Sequence, residues 1–190
     1  MSLRSRVSGT ARRLAAALLL LTPVGAATAQ APARPFAPGE RLTYEVRYGS
    51  LRVGTGSLEV RGIETIRGRS AYHTVFRVQG GTAFFRVDDT FQSWFSTDDL
   101  SSLRYHQDQD EGPKERTRRY EIFPERRTYT ELTGGEGEQP SVARPLDDGS
   151  FLYFIRTIPL EVGRTYRFDN YFKPDRRRRE EMTPTSTTTL

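Results

Sequence analysis

From Leu42 onward the apolar residues alternate with polar ones. Leu42, Tyr44, Val46 and Tyr48 share one side of an extended strand and Thr43, Glu45 and Arg47 the other, the period-two pattern of a strand with one face buried. The same parity recurs in Tyr72, Thr74, Phe76 and Val78, and in Phe85, Val87, Phe91 and Phe95, where Asp89 and Ser93 interrupt it. Tyr120 with Ile122, and Tyr166 with Phe168, repeat it in shorter form. Turn chemistry separates the runs at Gly49-Ser50, Arg67-Gly68-Arg69, Gly80-Gly81, Asp98-Asp99, Glu111-Gly112-Pro113, Phe123-Pro124 and Gly134-Gly135. Short strands at this spacing predict a mainly β chain, a single antiparallel meander curling into an open barrel or half-barrel.

Between Tyr48 and Val60 the parity reverses. Leu51 and Val53 are odd, Leu58 and Val60 even, and since a one-residue slip flips every side chain, an extra residue has to be absorbed between them. A β-bulge at Gly54 to Gly56 does this, its glycines allowing bending or a close backbone approach. The rival reading is a phosphate cradle, but Thr55-Gly56 stand where a P-loop needs Lys and Ser or Thr, and Glu59 stands where a dinucleotide fingerprint needs its third glycine.

One segment departs from the β pattern. In PLDDGSFLYFIRTIPL, Asp147 or Asp148 can cap a short helix carrying Phe151, Leu152, Phe154 and Ile155, which Pro159 ends. The helix is expected near 148–157, although Gly149 weakens its first turn and a central strand is the alternative. Arg156 would reach an acidic group or a carbonyl at the helix end.

The first 29 residues read as a cleavable leader. Arg4, Arg6, Arg12 and Arg13 precede an apolar run from Leu14 to Leu21, and Ala27-Thr28-Ala29 offers small residues for cleavage after Ala29. The run falls well short of the roughly 20 residues of a membrane-spanning helix, so no transmembrane anchor is expected. Arg12-Arg13 leaves the twin-arginine route open beside the general one. With no cysteine there is neither a lipid-anchor acceptor nor a disulfide framework, and a soluble periplasmic protein is expected. Four of the 29 basic residues and none of the 24 acidic ones lie in the leader, leaving 25 against 24. That balance argues against nucleic acid as a partner. Residues 30–39 are read as a flexible N-terminal segment, 40–175 as one β domain, and 176–190 as a disordered charged and threonine-rich tail that includes Arg176 to Arg179.

No catalytic constellation emerges. His73 falls on the face opposite Phe76 and is expected to point outward, and no G-x-S-x-G elbow supplies it with a serine. His106, Asp108 and Asp110 share a face and are the most metal-like group, yet the twelfth position counted from Asp108 is Arg119, where a Ca²⁺ loop needs glutamate. The neighbouring pairs Asp88-Asp89, Asp98-Asp99 and Asp147-Asp148 do not converge, because adjacent strand residues point to opposite faces. The chain is therefore read as a non-enzyme without metal or cofactor. Its 11 Phe and 9 Tyr either fill the interior or line an apolar pocket in a widely curled sheet. The candidate pocket residues are Tyr44, Val46, Tyr48, Phe76, Phe91 and Phe154, and the candidate ligand is a lipid or acyl chain. An envelope assembly module with a protein partner, and an enzyme using His106 with Asp108, are the alternatives.

FAPGERLTYEVRYGSLRVGTGSLEV, Phe36 to Val60, and FLYFIRTIPLEVGRTYRF, Phe151 to Phe168, resemble the opening and central signatures of domain of unknown function family 3108, exported proteins of bacteria. The resemblance implies a mostly antiparallel β domain of the cell envelope and carries over no catalytic residue. The sequence departs from the pattern after Tyr171-Phe172-Lys173-Pro174, where it resembles a C-terminally truncated member and further strands are expected to be missing.

Overall fold

The computed structural model describes residues 34–82, 85–135, 137–174 and 180–182. Eight strands follow one another in an antiparallel meander: β1 (Arg41–Tyr48), β2 (Leu51–Ile66), β3 (Arg69–Thr82), β4 (Phe85–Ser96), β5 (Ser102–Glu111), β6 (Lys114–Phe123), β7 (Thr128–Glu131) and β8 (Glu138–Pro140). Their spatial order is their chain order, and the sheet does not close, so β1 and β8 are its edges. Among the described residues one helix, α1 (Asp148–Ile155), lies over β3 and β4. A separate pair is formed by β9 (Tyr166–Phe168) and β10 (Glu180–Met182). The β10 residues fall within the segment read as a charged tail.

Register places the alternating residues in rows across one face. Leu42 pairs with Leu58, Leu58 with Phe76, Phe76 with Phe91, Phe91 with Gln107, and Gln107 with Arg118. The next row toward α1 contains Val60, Thr74, Ser93, Tyr105, Tyr120 and Glu131. Two rows lie on the other side, one of Tyr44, Gly56, Val78 and Asp89, the other of Val46, Gly54, Gly80 and Val87. All four share a face because strand side chains alternate strictly between faces.

The glycine reading needs two corrections. The extra residue is Val53, since Val46 pairs with Gly54 but Arg47 with Arg52; the bulge lies just before the glycines. Gly80-Gly81 is no turn but part of β3. Gly80 faces Gly54 across the ladder, and a Cβ on either would run into the other strand, that of Gly54 into the Gln79 carbonyl and that of Gly80 to 2.7 Å from Gly54 Cα. The strands are pressed together backbone on backbone, which only paired glycines permit. Gly56, by contrast, has room for a Cβ, its nearest neighbour being Tyr44 Cβ at 3.7 Å.

The covered half of the face is built around α1. Tyr153 is fully buried with Phe36, Leu58, Val60, Phe95 and Leu100, and Phe36 packs edge-on against Tyr153 at 4.8 Å. Residues 34–39, read as a loose segment, are therefore tied in: Phe36 is 5 % exposed and Gly39 N–H donates to the Val60 carbonyl. Arg156 reaches both oxygens of Glu40 at 2.6 and 2.8 Å, as its place at the helix end suggested. A second cluster, Tyr105, Tyr120, Ile122 and Phe172, holds the C-terminal segment on the sheet.

The helix begins at a buried carboxylate. Asp147 Oδ1 accepts from Gly149 N and Ser150 N at 2.8 and 2.9 Å, and Oδ2 accepts from Ser93 Oγ at 2.8 Å. Its own N–H donates to Ser102 Oγ and Ser150 Oγ, so N-cap and β4–β5 floor form one network. Gly149 has its reason here, since a Cβ would sit 2.8 Å from Ser93 Cβ.

Gly54→Ala and Gly80→Ala should each cost ~1–3 kcal/mol by forcing the strands apart, whereas Gly56→Ala should stay within about 0.5 kcal/mol; urea unfolding of the three variants checks this. Burial pushes the Asp147 carboxyl up from 3.8 to about 6, so the folded chain binds this proton more tightly than the unfolded one. Its contribution to stability is greatest below about pH 4, falls as pH rises to about 6, and is flat beyond. Asp147→Asn retains the cap and should remove that slope, gaining on the parent protein by on the order of 2–3 kcal/mol across the window. Asp147→Ala should lose on the order of 2–4 kcal/mol at every pH, because three donors lose their acceptor.

Candidate ligand-binding groove

Toward the β1–β2 and β3–β4 turns, α1 no longer covers the inner face. Tyr44 and Val46 are 42 % and 37 % exposed, although their rows belong to the face that is buried lower down. Glycines at 54, 56 and 80 put little bulk on the floor. The result is an apolar cavity of ≈ 270 Å³ lined by Val46, Val53, Gly54, Val78, Gln79, Gly80, Gly81 and Val87.

Farther along the same face, β5 and β6 turn it polar. A cavity of ≈ 390 Å³ is lined by Phe91, Gln107, Gln109, Arg116, Arg118, Tyr120, Asp148, Tyr171 and Lys173. Phe91 lies four residues after Val87 with the same parity, about 13 Å along β4. Between them Asp89, 6 % exposed, accepts from Asp110 N–H at 3.0 Å. Tyr120 is the focus of the polar end. Lys173 Nζ donates to its hydroxyl at 2.8 Å and lies 4.2 Å from its ring centroid, and Arg118 donates to the same oxygen at 3.4 Å. Glu131 lies 3.4 Å from Lys173 and 3.8 Å from Arg118. Asp148 accepts from Tyr105 at 2.7 Å, and burial together with that carboxylate pushes the Tyr105 hydroxyl pKa up.

The six pocket candidates are divided by the fold. Val46 lines the apolar cavity and Phe91 the polar one. Phe76 stacks on Phe91 at 5.8 Å between them, and Tyr44 stands in the open row beside Gly56. Phe154 belongs to the helix side, edge-on to Phe168 at 6.0 Å. The Tyr48 side chain lies outside the described residues. Sequence reasoning missed Arg116, Arg118 and Lys173. The first two share the parity of Tyr120, which was the available signal, while Lys173 reaches the site only through the seating of Phe172.

The catalytic candidates lie on the opposite face. His73 points outward as expected but is covered: it stacks on Trp94 at 4.3 Å, its Nδ1 donates to Glu64 Oε1 at 2.7 Å, and Glu64 Oε2 accepts from Trp94 at 2.8 Å. His106 packs edge-on against the same indole at 4.9 Å. Asp108 is held by Arg119 at 2.6 Å and Thr117 at 3.1 Å. Among the described residues no group of three His, Cys, Asp or Glu is placed to hold a metal ion, and no helix is long and apolar enough to cross a membrane. Asp88 points outward to Arg77 while Asp89 points inward, the opposition expected of strand neighbours.

These features define a class, the open antiparallel β-meander with a helix laid across one half of its inner face and an apolar and a polar cavity on the remainder. The profile of the family described as "Protein of unknown function (DUF3108)" matches residues 43–189, and the chain belongs to that family. The match runs through the C-terminal segment where the sequence was read as departing from the family pattern. No curated protein and no solved structure matches.

Burial, then Arg119 and Arg104, push His106 down to about 4. An NMR titration should find the ring neutral throughout pH 6–8, with its midpoint near 4; a midpoint of 6 to 7 would restore it as a proton-transfer candidate.

Proposed function

We propose that this chain is an exported domain of the bacterial cell envelope that binds a lipid or acyl chain on the uncovered half of its sheet. The observation that carries the reading is the apolar cavity itself. Its floor is kept bare by a glycine pair that the packing of β2 on β3 demands, and its walls are valines on one face. Such a surface left in water is unfavourable in proportion to its area, and an alkyl chain laid on it removes that area from solvent. Each buried methylene contributes ~0.8 kcal/mol, so on the order of eight give ~6 kcal/mol before the cost of immobilising the ligand. That is less than the ~8 kcal/mol of a micromolar complex, and the polar end of the groove has to supply the remainder. The leader-like residues 1–29 motivate the export half of the proposal.

A second reading rests on a separate observation. The eight-residue strand β1 is paired with β2 on one side and with no other strand among the described residues on the other, and an envelope partner adding a strand there would extend the sheet. Proline at the end of the three-residue β8 blunts the other edge.

Native mass spectrometry of protein purified from cells should show a co-purified lipid, and fatty acids should raise the melting temperature. Val46→Asp with Val78→Asp should lower alkyl affinity at least tenfold by placing charge against the chain. Protein that carries no lipid and shows no thermal shift would contradict the proposal. N-terminal sequencing of the periplasmic fraction should begin at Gln30.

A further inference from the structure

The rows of the inner face change chemistry from one end to the other. In the row beginning at Leu42, three apolar partners on β2–β4 are followed by Gln107 and Arg118. Beside it, Tyr44, Gly56 and Val78 lie on the apolar side, and Gln109 faces Arg116 on the polar side. These two rows lead from apolar residues to the donors of β5 and β6, the second by way of Asp89, whereas the row of Val46 and Val87 continues to Glu111 and then Lys114.

The donors outnumber what the protein itself uses. Arg116 has no ion-pair partner among the described residues. Arg118 and Lys173 share the single carboxylate of Glu131. The Tyr120 oxygen accepts from both of them, which leaves its own O–H to donate to an incoming acceptor. Besides Glu131, two further carboxylates on this side are engaged, Asp148 by Tyr105 and Gln107 and Asp89 by the Asp110 amide. An acceptor-rich anion is complementary to this end. The ≈ 390 Å³ around it exceeds what a bare carboxylate fills. An apolar cavity of ~150 Å³ holds benzene, so the ≈ 270 Å³ on the other side suits one alkyl segment and not a pair.

We propose that the groove takes a single-chain amphiphile with a phosphate head, its chain along Val46, Val78 and Val87 and its phosphate among Arg116, Arg118, Lys173 and the Tyr120 hydroxyl. This rests on the lipid-binding reading and adds the head-group chemistry and the direction in which the ligand lies. The phosphate oxygens accept from Arg116, which has no ion pair among the described residues, and from Arg118 and Lys173, which share the carboxylate of Glu131. The chain covers the valines, and neither half suffices alone.

Calorimetry below the micelle concentration tests this with dodecyl phosphate, dodecanol and inorganic phosphate. Dodecyl phosphate should bind at least about tenfold more tightly than either of the others, and its affinity should fall with added salt. Arg116→Gln combined with Arg118→Gln should remove that advantage, bringing dodecyl phosphate to the level of dodecanol, and a cooperative unfolding curve should report a folded variant. Both side chains lie at or near the surface, so the variant is expected to fold. Equal binding of dodecyl phosphate and dodecanol, or an advantage that survives the double substitution, would overturn the head-group assignment and leave the apolar groove standing. Absence of binding by both alkyl compounds would remove the lipid-binding reading and this inference with it. Inorganic phosphate binding as tightly as dodecyl phosphate would make the site an anion site without a chain, which also contradicts the proposal.

Discussion

Asp147 sits where helix, sheet and C-terminal segment meet: its carboxylate joins the helix to the sheet, and the backbone of the preceding Leu146 holds the C-terminal segment. One oxygen caps α1, the other holds Ser93 on β4, and the Asp147 amide reaches Ser102 on β5. One residue earlier, Leu146 exchanges backbone bonds with Asn170 and Phe172, which lowers Phe172 onto Tyr105 and Tyr120. An eight-stranded open sheet cannot bury its own face by adding hydrogen bonds within the sheet; something has to be laid across it. Here that is one short helix and one extended strap, both fixed at the same polar hub. Since neither extends over the rows of Tyr44 and Val46, half the face is core and half is groove.

The same hub orders the chemistry of the groove. Asp148 follows the cap directly and is held against Tyr105, and Lys173 follows Phe172 directly and is held against Tyr120. The polar end is thus positioned by residues whose neighbours are buried for structural reasons. The apolar end depends instead on the contact of Gly54 with Gly80, which presses β2 onto β3 and keeps side chains off the floor. Valines along a floor of backbone suit an alkyl chain and donors around a tyrosine suit an anion, and it is on this pairing that the proposal of one amphiphilic ligand rests.

Much of the fold was legible because period two is a strong signal. The inward rows through Leu42, Phe76, Phe91 and Tyr120 follow from parity alone, and Asp147 or Asp148 ahead of Phe151 to Ile155 marked the helix, whose cap the structure assigns to Asp147. The errors lie where local chemistry has two uses. Gly80-Gly81 reads as a turn by composition, but its structural role is set by Gly54 on another strand, and no local pattern records that. The bulge was placed on the glycines, yet the ladder absorbs Val53. For the site, alternation identified Val46 and Phe91 but could not separate Phe154, which serves the core, or bring in Lys173, whose position depends on a contact 53 residues distant with Tyr120. Arg116 and Arg118 were passed over because charges on a strand ordinarily face solvent, and their row became meaningful only once register joined it to Phe91 and Val78.

The central claim, that the uncovered rows form one ligand surface, is tested most directly by methyl NMR of the valines during titration with a long-chain alkyl phosphate. The account requires saturable shifts at Val46, Val78 and Val87, with none at Val60, which is sealed beneath α1, or at Val162, which is exposed on the loop after α1 and lines neither cavity. Shifts at Val162 comparable to those at Val46, or no shifts in the groove while the ligand binds elsewhere, would contradict it.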